Sequence, residues 1–168
     1  PENSMANVTS IFEDEETLSG IDGIEFDIRF TRDNVPVILH DTRMGDICDS
    51  PFIVEKTDYK DIKDLQCGFR KSTYKSDIPW DENKTFRLMT LDQLLSFLVY
   101  NRNKLGDKII KVETKEIGIS EAHALAFKDV LRRYRILNEN IVHLSFLSNN
   151  LKAIRELQVQ SGDSLTRT

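Results

Sequence analysis

The most constraining feature of this chain is a short segment, residues 24–28, in which apolar and acidic side chains alternate. Side chains alternate across a β-strand, so Ile24, Phe26 and Ile28 face one side. Glu25 and Asp27 share the other side. Buried carboxylates are costly unless they are paired, hydrogen-bonded or bound to a metal. The segment therefore predicts a strand with a built acidic site or, as the simpler alternative, a strand whose polar face lies in solvent.

A turn and a second extended run follow this strand. Residues 31–34 are polar and turn-prone, and residues 35–39 are apolar, with Pro36 excluding a fully paired central strand. The run ends at His40, whose imidazole is suited to acid–base chemistry. We therefore predict a strand–turn–strand unit over residues 24–39 that delivers His40 close to the two acids. Without other information, an ordinary loop histidine is the alternative.

The rest of the chain alternates between helical and extended patterns. Thr90 and Gln93 form a capping box before a stripe of leucines, and Ser120 can cap another amphipathic helix. This alternation predicts βα units around a mostly parallel sheet, in a doubly wound fold or a (β/α) barrel. The predicted elements are a helix from about Met5 to Gly20, strands over 24–30, 35–39, 108–115 and 140–146, and helices near 58–66, 91–98, 120–134 and 148–157.

Two regions lack this periodicity. Residues 41–88 combine many Asp and Lys residues with Pro51, Gly68 and Pro79, which predicts a long insertion. Long loops of this kind often carry function. Residues 158–168 predict a disordered tail.

The composition excludes several classes of protein. The 168 residues carry a net charge of −5 without a dominant Lys/Arg face, which argues against nucleic-acid binding. No apolar run approaches the roughly 18 residues that a membrane span needs. Cys48 and Cys67 lie too far apart for a Cys-x-x-Cys zinc pair, and we expect two free thiols rather than a disulfide. The chain is predicted to be soluble, with the cytoplasm favoured over secretion.

Three carboxylates could meet at one end of the predicted sheet. Glu113 lies at the charged end of the strand over residues 108–115, and the carboxyl ends of barrel strands meet at one rim. With Glu25 and Asp27 it would form a set of hard oxygen ligands. Such a set suits Mg²⁺ or Ca²⁺ better than zinc.

A series of short motifs follows the same order along the chain. They are Pro1-Glu2-Asn3-Ser4, Gly23-Ile24-Glu25-Phe26-Asp27-Ile28, Thr31-Arg32-Asp33-Asn34-Val35-Pro36-Val37, His40-Asp41, Arg87-Leu88-Met89-Thr90-Leu91, Val112-Glu113-Thr114-Lys115 and Ser145-Phe146. This series resembles the motifs of the glycerophosphodiester phosphodiesterase family. The similarity runs from residue 1 to about residue 157, and the block from Glu25 to His40 is highly specific.

The resemblance implies a (β/α) barrel that uses one divalent cation to hydrolyse glycerophosphodiesters, such as glycerophosphocholine, to glycerol 3-phosphate and an alcohol. It makes Glu25, Asp27 and Glu113 metal ligands and His40 one of two acid–base histidines. It makes Lys115 a group that orients phosphate or ligand, although a lysine there could equally only pair with a nearby acid. The family mechanism is attack by the substrate's own hydroxyl through a cyclic phosphate, which water then opens.

Parts of the family pattern are not found in the chain. The second histidine of the family belongs to a His-Arg-Gly motif shortly before the segment that matches residues 1–4, and a complete barrel needs roughly 250 residues. His123 and His143 fall within a helix and a strand, where structural roles are expected. We therefore expect a partial barrel domain over residues 1–157, with little or no activity by itself.

Two other functions are compatible with the same residues. A non-catalytic, barrel-derived binding or regulatory module would keep the carboxylates and lack the first histidine. A related phospholipase would keep the barrel and act on a lipid phosphodiester, with residues 41–88 shaping the choice. The sequence does not predict the oligomeric state or the choice between Mg²⁺ and Ca²⁺.

Overall fold

The structure is a computed structural model that describes residues 5–46, 48, 50–67, 86–145 and 147–160. Parts of the sequence-based predictions lie outside these residues: the first motif (residues 1–4), residues 68–85 of the insertion, Phe146 and residues 161–168 of the tail. Within the described ranges, no helix is both long and apolar enough to cross a membrane.

Helices and strands alternate along most of the chain. The helices are α1 (Met5–Glu13), α2 (Glu15–Ser19), α3 (Tyr59–Ile62), α4 (Leu91–Tyr100), α5 (Arg102–Leu105), α6 (Glu121–Arg133) and α7 (Ser148–Gln160). The strands are β1 (Gly23–Phe30), β2 (Pro36–Ile38), β3 (Gln66–Cys67), β4 (Phe86–Arg87), β5 (Ile109–Thr114) and β6 (Ile141–Leu144). This order confirms the α/β class predicted from the sequence.

Within the described residues, the main sheet has four strands in the order β2-β1-β5-β6. Strands β1, β5 and β6 run parallel, and β2 pairs antiparallel with β1, with Ile28 opposite Ile38. Asn34 has a positive φ of 64° in the turn between β1 and β2, a conformation that asparagine tolerates better than most residues. The predicted strand–turn–strand unit is therefore confirmed, with Pro36 on an edge strand as expected.

The main hydrophobic core lies between the sheet and the helices. Phe26 and Ile28 of β1 pack in one cluster with Leu94 of α4 and Phe127 of α6. Helix α4 begins with the predicted capping box, and the Ser120 side chain caps α6 by accepting a hydrogen bond from the backbone N–H of His123. One face of the sheet is thus covered by helices, and Glu25 and Asp27, which alternate with the core residues, belong to the opposite face.

A second core forms around the segment that follows β2. Its buried residues are Val37, Leu39, Met44, Cys48, Val54, Ile62, Cys67 and Leu88. Val37 is the register partner of Arg29, and directly opposed residues of an antiparallel pair project to the same face. The second core therefore packs on the face that bears Glu25 and Asp27.

The expectation of free thiols is wrong. Cys48 and Cys67 form a disulfide across a sequence separation of 19, and both are fully buried in the second core. The main chains of the two cysteines also form an antiparallel bridge. This contact depends on how the insertion folds back on itself, which sequence spacing alone does not reveal.

The bounds of three predicted helices differ from those in the structure. The N-terminal helix breaks at Asp14, because the Asp14 carboxylate accepts backbone hydrogen bonds from Glu16 and Thr17 and so starts α2. The helix predicted near 58–66 is only the single turn of α3. Helix α7 extends to residue 160, into the predicted tail.

Candidate functional site

Three acidic side chains meet on the face of the sheet opposite the helices. Asp27 of β1 is the register partner of Glu113 of β5, so their side chains project to the same face of the parallel pair. Glu25 precedes Asp27 by two residues and shares that face. One carboxylate oxygen from each of the three residues lies within 4.8 Å of those of the other two. The structure therefore brings together all three of the predicted metal ligands.

Lys115 lies directly beside this acidic cluster. Its Nζ is 3.2 Å from Oδ1 of Asp27 and 2.8 Å from Oε1 of Glu113. The Lys115 side chain is only 16% exposed, and those of Asp27 and Glu113 are 11% and 12% exposed. The pairing with a nearby acid that the sequence left open is therefore present, and it involves two of the three acids.

The charges of the cluster change its protonation equilibria. Burial, followed by the negative charges of Asp27 and Glu113, raises the pKa of Glu25, and the Lys115 ammonium only partly offsets this. Burial acts to lower the pKa of Lys115, but hydrogen bonds to Glu113 and Asp27 outweigh it, so the pKa is raised. Lys115 therefore stays protonated and places a fixed positive charge beside the carboxylates.

The cluster has the chemistry of a divalent cation site. Carboxylate oxygens are the preferred ligands of Mg²⁺ and Ca²⁺, with metal–oxygen distances of about 2.0–2.6 Å. Oxygens that lie within 4.8 Å of one another can therefore surround one ion. Among the described residues, the ammonium of Lys115 contacts two of the three carboxylates, and a divalent cation would balance the negative charge that remains on them. The donor set fits the predicted cofactor, and it does not distinguish Mg²⁺ from Ca²⁺.

His40 lies two residues beyond the end of β2. The backbone N–H of Leu39 donates to the carbonyl oxygen of Asp27 at 3.0 Å, which ties the start of this loop to the acidic strand. The His40 side chain is 58% exposed, and its Nδ1 lies 2.8 Å from Oδ1 of Asp41. The structure thus places the predicted acid–base group in an accessible loop anchored to the strand of Glu25 and Asp27.

The other two histidines belong to the helix side of the sheet. His143 is the register partner of the core residue Val112, and its Nε2 shares a 2.6 Å hydrogen bond with Oγ1 of Thr114. Burial lowers its pKa to about 4. His123 stacks on Phe30, with ring centroids 4.5 Å apart. Both positions fit the structural roles predicted for them.

Two neighbours of the predicted site residues received no role from the sequence. Arg29 continues the alternation of Glu25 and Asp27, and its Nε donates to the main-chain carbonyl of His40 at 2.7 Å. The period-two pattern was the signal that could have placed it on the acidic face. Asp41 stands beside His40 in the sequence, but the hydrogen bond between them depends on the loop conformation.

Comparison with known proteins identifies a family. The sequence model of the Glycerophosphoryl diester phosphodiesterase family matches residues 1–164. No curated protein matches the chain at a significant level.

Solved structures share the fold at low sequence identity. A proposed glycerophosphoryl diester phosphodiesterase from Silicibacter pomeroyi aligns over 94% of this chain and 57% of its own, with a TM-score of 0.77 and 20% identity. The glycerophosphoryl diester phosphodiesterase domain of an uncharacterized Mycobacterium tuberculosis protein aligns over 100% of this chain and 54% of its own, with a TM-score of 0.71 and 17% identity. An Oleispira antarctica phosphodiesterase, solved with the product sn-glycerol-3-phosphate, aligns over 94% of this chain and 59% of its own, with a TM-score of 0.68 and 21% identity.

These matches confirm the predicted (β/α) barrel class. The parallel order of β1, β5 and β6 is the arrangement that such a barrel requires. The chain spans between 54% and 59% of the length of these three structures.

Proposed function

Because this chain belongs to the glycerophosphoryl diester phosphodiesterase family, we propose that it is the metal-binding part of an enzyme that hydrolyses glycerophosphodiesters. The products are glycerol 3-phosphate and an alcohol, and glycerophosphocholine is the proposed model substrate. The observation that carries the proposal is the pairing of Asp27 with Glu113 on adjacent strands, with Lys115 in contact with both. Residues 1–157 form the proposed domain. We propose that the segment over residues 41–88, whose described part contributes to the second core, shapes the choice of substrate.

Glu25, Asp27 and Glu113 are the proposed ligands of one Mg²⁺ or Ca²⁺ ion. When bound, such a cation withdraws charge from a phosphate oxygen and helps to position the attacking hydroxyl. The strands fix Asp27 and Glu113 by their register, so these two ligands are held in place before a metal arrives. Such pre-organisation lowers the cost of binding.

Lys115 is the proposed phosphate-orienting group. Its ammonium stays charged, because the hydrogen bonds to Glu113 and Asp27 outweigh the effect of burial on its pKa. A phosphodiester is an anion, so a fixed positive charge beside the carboxylates attracts it to a site whose acids would otherwise repel it.

His40 is the proposed general base. Its Nε2 takes the proton of the substrate's glycerol hydroxyl, whose O–H bond breaks as the oxygen electron pair forms the bond to phosphorus. The leaving alcohol departs with the P–O electron pair and takes a proton from a general acid, which is a different group from His40. His123 and His143 lie on the helix side of the sheet and do not supply it. Water then opens the cyclic phosphate to give glycerol 3-phosphate.

The test is an assay of the full-length protein that carries this chain. Release of glycerol 3-phosphate from a panel of glycerophosphodiesters is expected with added Mg²⁺ or Ca²⁺, and it should stop when EDTA is added. Glu113→Gln should lower the rate at least about 100-fold, because one ligand is lost. Glu121→Gln, which removes an acid from the first turn of α6, is the matched control and should change little. Failure of every diester in the panel to release product in a metal-dependent way would contradict the proposal.

The isolated 168-residue chain is proposed to bind the cation and to turn over little or no substrate. Of its histidines, only His40 lies in the loop tied to the acidic strand, so the chain supplies one histidine of the proposed acid–base pair. Calorimetric titration of the chain with Mg²⁺ and Ca²⁺ tests binding directly, and Asp27→Asn should abolish the heat signal. Robust turnover by the purified chain would show that this proposal is wrong.

A second candidate function is a non-catalytic binding or regulatory module. The observation that favours it is the placement of His123 and His143 in the packed helix side of the sheet. The two functions differ in one measurement: a module would bind cation and phosphodiester in the full-length protein without releasing glycerol 3-phosphate.

A further inference from the structure

The loop that carries His40 is attached to the acidic strand by a side chain. Strand β2 ends at Ile38, so His40 lies beyond the regular ladder of the sheet. The Nε of Arg29 donates to the main-chain carbonyl of His40 at 2.7 Å. Because a guanidinium is charged and rigid, this is a charge-assisted hydrogen bond with a defined direction.

A second hydrogen bond holds the residue before His40. The backbone N–H of Leu39 donates to the carbonyl of Asp27 at 3.0 Å. The N–H of Leu39 and the carbonyl of His40 are therefore both held by β1, at Asp27 and at Arg29. These two hydrogen bonds fix the main chain of His40 relative to β1, the strand that carries Glu25 and Asp27.

The imidazole of His40 has its own partner. Its Nδ1 lies 2.8 Å from Oδ1 of Asp41, and a carboxylate can only accept a hydrogen bond. Nδ1 must therefore carry the proton of the neutral ring, which leaves the lone pair on Nε2. Asp41 therefore favours the Nδ1–H tautomer of His40. This is the tautomer in which Nε2 can act as a general base.

We infer that Arg29 and Asp41 are positioning residues for His40: Arg29 fixes its main chain against the acidic strand, and Asp41 fixes its tautomer. This inference rests on the proposed function for its catalytic meaning. The geometry of the two contacts can be tested without turnover, so failure of the inference and failure of the proposed function are distinguishable.

The test is NMR of the chain labelled with ¹⁵N. A long-range ¹H–¹⁵N spectrum reports which ring nitrogen of each histidine carries the proton, and His40→Gln assigns the His40 signals. Wild-type His40 should be mainly the Nδ1–H tautomer when neutral. Asp41→Asn should shift the ratio toward Nε2–H by at least about threefold, the range expected for losing one exposed charged partner. A wild-type ring that is mainly Nε2–H, or a ratio unchanged in Asp41→Asn, would overturn the role of Asp41.

Backbone relaxation tests the role of Arg29. Arg29→Met keeps most of the stem and removes the donor, so the order parameter at His40 and Asp41 should fall from about 0.85 to below about 0.6. Arg32→Met is the matched control, because Arg32 pairs with Asp58 in the neighbouring turn at 2.8 Å and should leave residue 40 unchanged. An unchanged order parameter in Arg29→Met would overturn the role of Arg29.

The ring signals of buried His143 report folding in the same samples. If Arg29→Met loses them, Arg29→Lys replaces it, since lysine keeps the charge but carries its nitrogen one atom further out than Nε. The same loss of order at residue 40 is expected, and full order there would count against the inference.

Discussion

Asp27 and Glu113 occupy paired positions on neighbouring parallel strands, and one ammonium, that of Lys115, contacts both carboxylates. The pairing follows from the register of β1 against β5, and the contact follows from Lys115 lying two residues beyond Glu113 on the same face. The site therefore combines the ammonium of Lys115 with three carboxylates. If the site binds a divalent cation, as proposed, this lysine links that binding to the stability of the fold.

Replacing Lys115 by Met should destabilise the chain in buffer without divalent cations. Two carboxylates that are 11% and 12% exposed would lose their ammonium, and removal of one partner from a largely buried ion pair is costly. We expect the free energy of unfolding in urea to fall by about 3 kcal/mol. Added Mg²⁺ or Ca²⁺ should recover part of this loss.

Lys152→Met is the control for the loss of one positive charge. Lys152 is exposed on α7, so its removal should change the unfolding free energy by less than about 0.5 kcal/mol. Equal effects of the two substitutions would mean that the Lys115 contacts do not stabilise the fold.

His143 should make folding stability depend on pH. Burial lowers its pKa from 6.5 to about 4, so the unfolded chain binds the proton more readily than the folded chain. Stability therefore falls as the pH drops from about 6.5 to about 4, by about 3 kcal/mol from this residue.

His143→Gln removes the titrating group and serves as the comparison. Carboxylates also titrate in this range, so the quantity to measure is the difference in unfolding free energy between the two proteins at each pH. That difference should change by about 3 kcal/mol across the window. Parallel stability curves would show that His143 titrates normally in the folded chain.

The acidic site could be predicted from the sequence to the extent that it depends on local pattern. Period-two alternation was enough to place Glu25 and Asp27 on one face, and the charged strand end pointed to Glu113. The register that sets Asp27 opposite Glu113 is a long-range property, and no local pattern contains it. For Lys115 the sequence allowed either a phosphate-orienting role or a simple ion pair with a nearby acid. The structure shows ion pairs with both Asp27 and Glu113.

Two predictions about the fold failed for different physical reasons, one local and one long-range. The break at Asp14 arises because a carboxylate competes for backbone N–H groups within an otherwise helical pattern. The contact between Cys48 and Cys67 arises from packing of the second core, in which both side chains are buried. A long-range contact such as Cys48–Cys67 produces no periodic pattern in the sequence from which it could be predicted.

The Cys48–Cys67 disulfide should be measurable and stabilising. Thiol titration of the denatured, unreduced protein is expected to find neither cysteine free. For a sequence separation of 19, the chain-entropy model gives a loss of about 3 kcal/mol when the bond is removed. Reduced wild type and the double variant Cys48→Ala, Cys67→Ala should therefore unfold at similarly lower urea concentrations. Two reactive thiols in the unreduced protein would contradict this prediction.

Gly23 should be intolerant of any side chain because of how β1 meets β5. It is the register partner of Ile109, and an added Cβ would lie well inside van der Waals contact with the Ile109 carbonyl oxygen. Since that atom belongs to the backbone, relief requires the two strands to separate, and we expect Gly23→Ala to lower the unfolding free energy by about 2–4 kcal/mol. Gly118→Ala is the control, because a Cβ there meets nothing within 4 Å. If both variants unfold at the wild-type urea concentration, β1 and β5 are not in the close contact that aligns Asp27 with Glu113.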